Sequence, residues 1–187
     1  DFDFGSPSAT VAQQAGKLVF SVCAQSPKFG VQGIGDKAFS VATSVNADGA
    51  ALRAFAEKQG YEKPFMLLDT TIAYDHGLCD GFKKGFDGDE AGQATYKKGD
   101  ASISSQIADI KSSGADSVVM CTYQPGGASA VRQIRSAGIR PPPVAGGSFD
   151  GSFWMEGIPD VSNLYVAAMA SVFGNDPNPA VNEFVKE

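Results

Sequence analysis

The sequence is poor in the groups that carry metal and thiol chemistry. Its 187 residues hold one histidine, His76, and three cysteines, Cys23, Cys79 and Cys121. No CxxC pair occurs, so a zinc site has no ligand set, and neither a metal nor another cofactor is expected. The odd count excludes a fully paired disulfide framework; it allows one bridge and one remaining thiol. Long apolar runs are missing as well. Runs such as Leu18–Phe20, Phe65–Leu68 and Val118–Cys121 are strand-sized, and none in the chain approaches the about 20 apolar residues that a membrane-crossing helix needs. Positive charge is not in excess either: 15 basic against 21 acidic residues leave a net charge of −6. The lysine pairs at 83–84 and 97–98 are each followed closely by aspartate, so no basic stripe forms and nucleic acid is a poor partner. The chain opens at Asp1 without Met or an apolar leader, and it stops inside a helical pattern. Both ends are expected to be cut, with any signal peptide already missing.

What is present is enough apolar residue for a core: 43% hydrophobic against 19% charged, which excludes a disordered or fibrous chain. At ~150 residues per domain the length corresponds to one compact unit plus a remainder too small to fold alone. Glycine, 22 residues or about 12%, is nearly double the ~7% average and implies many tight turns between short elements.

The patterning predicts alternating strands and helices. Ser6 reads as the cap of a helix from Pro7 to Ala15 closed by Gly16, followed by a strand at Lys17–Ser21 and a glycine-rich loop to Asp36. Lys37–Ala42 reads as a second strand. Asn46 reads as the cap of a helix to Gln59, with Gly60 after its end. Strands are expected at Phe65–Asp69, Gln93–Lys97, Ser117–Thr122 and Pro143–Ala145. Helices are expected between them at Asp75–Phe86, Ser102–Ser113 and Ala128–Ala137, each with an apolar face at helical spacing. Strands that are continuous apolar runs, each followed by a helix, indicate a doubly wound, mostly parallel α/β sheet covered on both faces. Ligands of such sheets sit beyond the carboxyl ends of the strands. Those ends are Ser21, Asp69–Thr71, Thr122–Gln124 and Ser148–Asp150, four loops that form the candidate site.

Several motifs fall away on mechanism. Gly33-Ile-Gly-Asp-Lys-Ala38 fits the loose GxGxxA pattern, but a loop precedes it and a strand follows, the reverse of what pyrophosphate binding requires. There is no GxxxxGK[ST] and no GxSxG, so Ser-His-Asp catalysis would depend on His76, a residue at a helix start that reads as surface or cleft lip. Asp69 is followed by two threonines; it is either a receiver-type carboxylate or an acceptor for the amides of its own loop, and the acidic pair and lysine of a receiver are missing. Asp150, in Gly146-Gly-Ser-Phe-Asp-Gly151, is either the cap of a helix at Gly151–Glu156 or a ligand carboxylate. In the second role, with the Phe149 ring beside it, it suits a cationic group held by charge-assisted hydrogen bonding and cation–π contact.

In order along the chain, four segments resemble the type I periplasmic solute-binding proteins of the branched-chain amino acid ABC-transporter class. They are Pro7–Pro27 with its Ser21-Val-Cys-Ala-Gln-Ser-Pro27 loop, Asp69-Thr-Thr-Ile-Ala-Tyr-Asp-His-Gly77, the Ile-rich Ser102–Asp116, and Asp176–Lys186. The resemblance implies two Rossmann-like α/β lobes closing over a small solute. It divides this chain into a first-lobe remnant and crossover at 1–38, a complete second lobe at 39–170, and a return crossover at 171–187. It implies ligand contacts from Phe4, Ser21, Ala24 and Gln25 on the first lobe, and from Thr71, Tyr74, Tyr123, Gln124, Phe149 and Asp150 on the second. Asp150 matches the family's holder of an α-ammonium. Phe4 and Gln25 depart from the Ser and Thr hydroxyls that amino-acid binders offer to a carboxylate.

The implied function is solute capture, without catalysis, for an ABC importer in the periplasm or outside the cell, with a membrane permease as partner. The alternative on the same fold is a receptor ectodomain or amidase-type regulator. The apolar residues Val11, Leu18, Val19 and Phe20 of the first-lobe remnant are expected to lack partners and to promote self-association.

Overall fold

The computed structural model describes residues 2–187. Asp1, the first residue of the 1–38 segment, lies outside the described residues. Two parallel sheets organise the chain. The smaller pairs β1 (Val19–Ser21) with β2 (Ala38–Ser40), placing Phe20 opposite Phe39. The larger comprises β3 (Pro64–Asp69), β4 (Gly92–Tyr96), β5 (Ser117–Cys121), β6 (Pro143–Ala145) and β7 (Tyr165–Val166). Its order is β4-β3-β5-β6-β7 and every pairing is parallel. The order in which the chain adds strands reverses between β3 and β5, and that switch point opens a crevice at the strands' carboxyl ends.

Alternation along the strands sorts the core into two layers, because successive side chains point to opposite faces. Met66 and Leu68 of β3 pack with Val119, Cys121 and Val144 against α2 (Val45–Gln59) and α3 (Ala73–Lys83). Phe65 and Leu67 pack with Val118, Met120 and Ala145 against α4 (Ser104–Ser113) and α5 (Gly126–Ser136). Both faces are therefore covered, as the unbroken apolar runs require. Trp154 closes the second layer edge-on to Phe149, and its indole N–H donates to the Phe149 carbonyl at 2.7 Å. A disulfide between Cys79 of α3 and Cys121 of β5 fastens the first layer to the central strand.

Helices α2 and α3 cross closely because glycine stands on each side of the contact. A Cβ on Gly49 would lie 2.5 Å from the Leu78 carbonyl oxygen, and one on Gly81 would lie 2.7 Å from that of Asn46.

The structure corrects several boundaries. The first helix, α1, spans Phe2–Gln14 and carries Pro7 inside it, so Ser6 is not its cap. Tertiary contacts of Asp3 and Phe4, described below, hold the turn that Pro7 would otherwise terminate. Ser44, not Asn46, caps α2, accepting from the Asn46 N–H at 3.3 Å. No helix forms at Gly151–Glu156; a single 3₁₀ turn, Gly147–Phe149, follows β6 instead. The edge strand β7 was not expected. Phe39 and Ser40, assigned from sequence to the 39–170 segment, pair with β1 in the small sheet. The last helix, α6, runs Pro179–Lys186 with Asn178 as its cap. No helix among the described residues is long and apolar enough to cross a membrane.

Candidate functional site

Two hollows adjoin at the carboxyl ends of the large sheet, with Tyr123 in the wall between them. The outer one, about 290 Å³, is lined by Val22, Cys23 and Gln25 from the loop after β1, by Tyr74 and Tyr123, by Gly147, Ser148 and Asp150 after β6, and by Met169. The inner one, about 10 Å³, is water-sized. It lies at the β3/β5 switch point among Phe4, Asp69, Thr71, Ile72, Asp75, Lys98, Tyr123 and Gln124. A larger hollow of about 380 Å³ lies among Gly60, Lys63, Phe86 and Asp89. It is at the amino end of β3, away from the end where open α/β sheets hold ligands.

Tyr74 anchors the outer hollow. It is 1% exposed, with its ring edge-on to Tyr123 at 5.6 Å, and its hydroxyl accepts the Ser148 N–H at 3.4 Å. Burial, with the Asp48 charge next in weight, raises its phenol well above the usual range. Ser148 donates its hydroxyl to the Thr122 carbonyl at 2.8 Å, which fixes the loop carrying Asp150. Asp150 is exposed on the cavity wall, and among the described residues its carboxylate makes no hydrogen bond or ion pair. With no helix following it, the capping role considered from sequence is excluded.

The loop after β1 supplies the facing wall. Ser21 Oγ accepts from the N–H groups of Cys23 at 3.3 Å and Ala24 at 3.0 Å, closing a tight turn. Gln25 donates through Nε2 to Asp48 Oδ2 of α2 at 2.7 Å, and its carbonyl accepts the Val45 N–H at 3.0 Å. Burial raises the Asp48 carboxyl above its ordinary value, against the opposing hydrogen bonds from Gln25 and Thr43.

The inner hollow concentrates buried polar groups. Asp69 accepts at Oδ1 from the Thr71 N–H at 2.9 Å and from the Thr71 hydroxyl, so it does satisfy its own loop, while its Oδ2 has no partner. Both oxygens of Asp75, which is fully buried, lack partners, as does Gln124 Nε2. Gln124 Oε1 accepts the Ala128 N–H at 3.0 Å at the start of α5. Burial, reinforced by the charges of Asp69 and Asp3 and opposed by Lys98, pushes the Asp75 carboxyl up to about 9. Lys98 Nζ sits 5.8 Å over the Phe4 ring. Asp3 accepts the Ala73 N–H at 2.9 Å, capping α3 from α1 where Ile72 has no capping side chain.

Of the residues expected at the site, Gln25, Tyr74, Tyr123 and Asp150 meet at the outer hollow, and Phe4, Thr71, Tyr123 and Gln124 at the inner one. Ser21 lies behind the loop with its oxygen engaged by the two backbone amides. Two expectations are corrected. Ala24 is buried in the small core with Ala9, Phe29 and Ala38, because the turn closed by Ser21 points its methyl inward. Phe149 is 1% exposed and packs on Trp154, so its ring faces the core and not a ligand beside Asp150. His76 is exposed on α3. Asp48 and Asp75 were not singled out from sequence. Both sit in first turns of helices, where an acidic residue ordinarily reads as a complement to the helix dipole. No group of three or more His, Cys, Asp or Glu that could hold a metal occurs among the described residues.

The profile of the family described as periplasmic binding protein matches residues 2–187. Among curated proteins none matches. A solved putative branched-chain amino acid ABC transporter from Rhodospirillum rubrum superposes with a TM-score of 0.75 at 18% identity, covering 97% of this chain and 52% of that one. The branched-chain amino acid substrate-binding protein LivJ from Streptococcus pneumoniae, solved with isoleucine, gives 0.73 at 22% identity over 80% and 43%. An ABC-transporter solute-binding protein from R. palustris, solved with benzoate, gives 0.65 at 20% over 74% and 39%. The chain thus spans about half the length of these structures or less, and at these identities the likeness is one of fold.

Proposed function

This chain belongs to the periplasmic binding protein family, and we propose from that premise that it captures a small polar solute for an ABC importer outside the cytoplasm. The solute is an amino acid or a related compound. It sits in the outer hollow, between the Val22–Gln25 loop and the wall of Tyr74, Tyr123, Ser148 and Asp150. The observation that carries this reading is the hollow itself. Walls from two separately paired sheets meet over it at the carboxyl ends of the larger one, and Asp150 is left there as an unpaired carboxylate. Tyr74 and Tyr123 supply apolar contact and Asp150 the charge. Binding draws the two walls together by hinge closure, and the membrane permease reads the closed form. No side chain of the site acts as a nucleophile or general base in this scheme.

The larger unit begins after β2, near Val41, and runs to about Ala170; α1, β1 and β2 belong to a first lobe, to which 171–187 returns. The Cys79–Cys121 bridge supports an oxidising, extracytoplasmic compartment.

Calorimetry on Asp150→Asn and Tyr74→Ala tests the site. Loss of a charged-group hydrogen bond costs about 1.5–3 kcal/mol, so Asp150→Asn weakens a cationic solute by roughly tenfold or more. Tyr74→Ala weakens most ligands, because the ring and its bond to Ser148 both disappear. Parent-like affinity in both variants overturns the assignment.

A further inference from the structure

Several of the donors at the outer hollow are already engaged within the protein, which leaves the Tyr74 and Tyr123 hydroxyl protons, both uncharged, as the side-chain hydroxyl donors facing a ligand. The amides of Cys23 and Ala24 both point at Ser21 Oγ. One N–H of Gln25 Nε2 is held by Asp48, and its Oε1, an acceptor, makes no hydrogen bond among the described residues. The Ser148 N–H goes to Tyr74 and the Asp150 N–H to the Gly147 carbonyl. The Ser148 hydroxyl goes to Thr122. No lysine, arginine or histidine is among the nine lining residues. Lys98 belongs to the neighbouring hollow, over the Phe4 ring and beside the Asp75 carboxyl. Asp150 stands on one wall and Asp48 directly behind Gln25 on the other, so a carboxylate entering the hollow meets like charge from both sides.

We infer that the hollow selects an organic cation without a free carboxylate, an amine or guanidinium on a small apolar body, and that Gln25, fixed by Asp48, is the residue that turns carboxylates away. The inference rests on the solute-capture reading above and narrows it. The donor groups of such a cation meet Asp150 and Gln25 Oε1, while its apolar body lies on Tyr74, Tyr123, Val22 and Met169. An α-amino acid satisfies one end of this arrangement and violates the other.

The test compares leucine with its decarboxylated and deaminated counterparts, isoamylamine and isovalerate, and adds agmatine as a guanidinium probe, all by calorimetry on the chain. The expected result is binding of isoamylamine or agmatine at least about tenfold tighter than leucine, with isovalerate weakest. Asp48→Asn, which removes the second charge and weakens the hold on the Gln25 amide, is expected to shrink the disadvantage of leucine at least about threefold. The series on the parent chain decides the matter without relying on that variant. Leucine or isovalerate binding as tightly as the amines overturns the inference and leaves the solute-capture reading standing. Failure of all four probes to bind overturns both.

Discussion

A carboxyl group sealed into the start of α3 makes stability depend on pH. Asp75 has an ordinary value near 3.8 and is pushed up to about 9 by burial, then by Asp69 and Asp3. Between those limits the unfolded chain is ionised while the native carboxyl holds its proton, so the native state binds more protons. Stability therefore falls as pH rises through that window and levels off above it. Asp75→Asn keeps the shape and removes the titration. It is expected to stabilise the fold by at least ~1 kcal/mol at pH 8 and to flatten the decline, as read from urea unfolding at a series of pH values. Residues of this kind are hard to read from sequence. Tyr74 and Asp150 were legible because they sit at strand ends or match a family pattern. Asp75 and Asp48 were not, since only the packing of α1 and the loop after β1 against the larger unit turns one first-turn acid into the wall of a hollow and sets the other directly behind Gln25.

Among the elements, α2 and α3 approach each other backbone to backbone through a glycine on each side. Gly81→Ala would gain about 1 kcal/mol of helix propensity. It would also drive a methyl to 2.7 Å from the Asn46 carbonyl oxygen. The overpacking cost of about 1–3 kcal/mol or more is expected to prevail, giving net destabilisation in chemical denaturation. A stabilised Gly81→Ala variant would show that the helices can part at little cost. Most of the larger sheet and its helices was legible because its longer strands are apolar runs and several helices end at a clear signal, such as Gly60 and Gly114, both left-handed, whereas α3 stops at Lys83, short of the expected Phe86, with no glycine at its cap. Two features escaped for reasons of range. The start of α1 is fixed by Asp3 on Ala73, 70 residues away, which overrides the local message of Pro7. Strand β7 is two residues long and exists only by pairing with β6.

For the molecule as a whole, the small sheet forms an exposed apolar region at one place in the fold. Phe20 is 67% and Phe39 44% exposed, stacked on each other at 5.4 Å, with Leu18, Val22 and Val41 also exposed nearby in the chain. A paired-strand edge beside an apolar face favours association. Light scattering of the chain is expected to show a mass that grows with concentration, and Phe20→Asp to reduce it. A monomer at every concentration would exclude association through this face.

The lone tryptophan sits where it can report on the site. Trp154 rests edge-on against Phe149 and donates to that residue's carbonyl, and the next residue is Asp150, the carboxylate of the outer hollow. The indole is thus a built-in fluorophore one peptide bond from the ligand-facing charge. Any solute that repositions the Gly147–Asp150 loop should change its emission, and for a cationic solute Asp150→Asn should shift that change to roughly tenfold higher concentration or more while leaving the spectrum of the unliganded protein intact. A single cuvette titration, without label or partner, would then follow occupancy of the cleft.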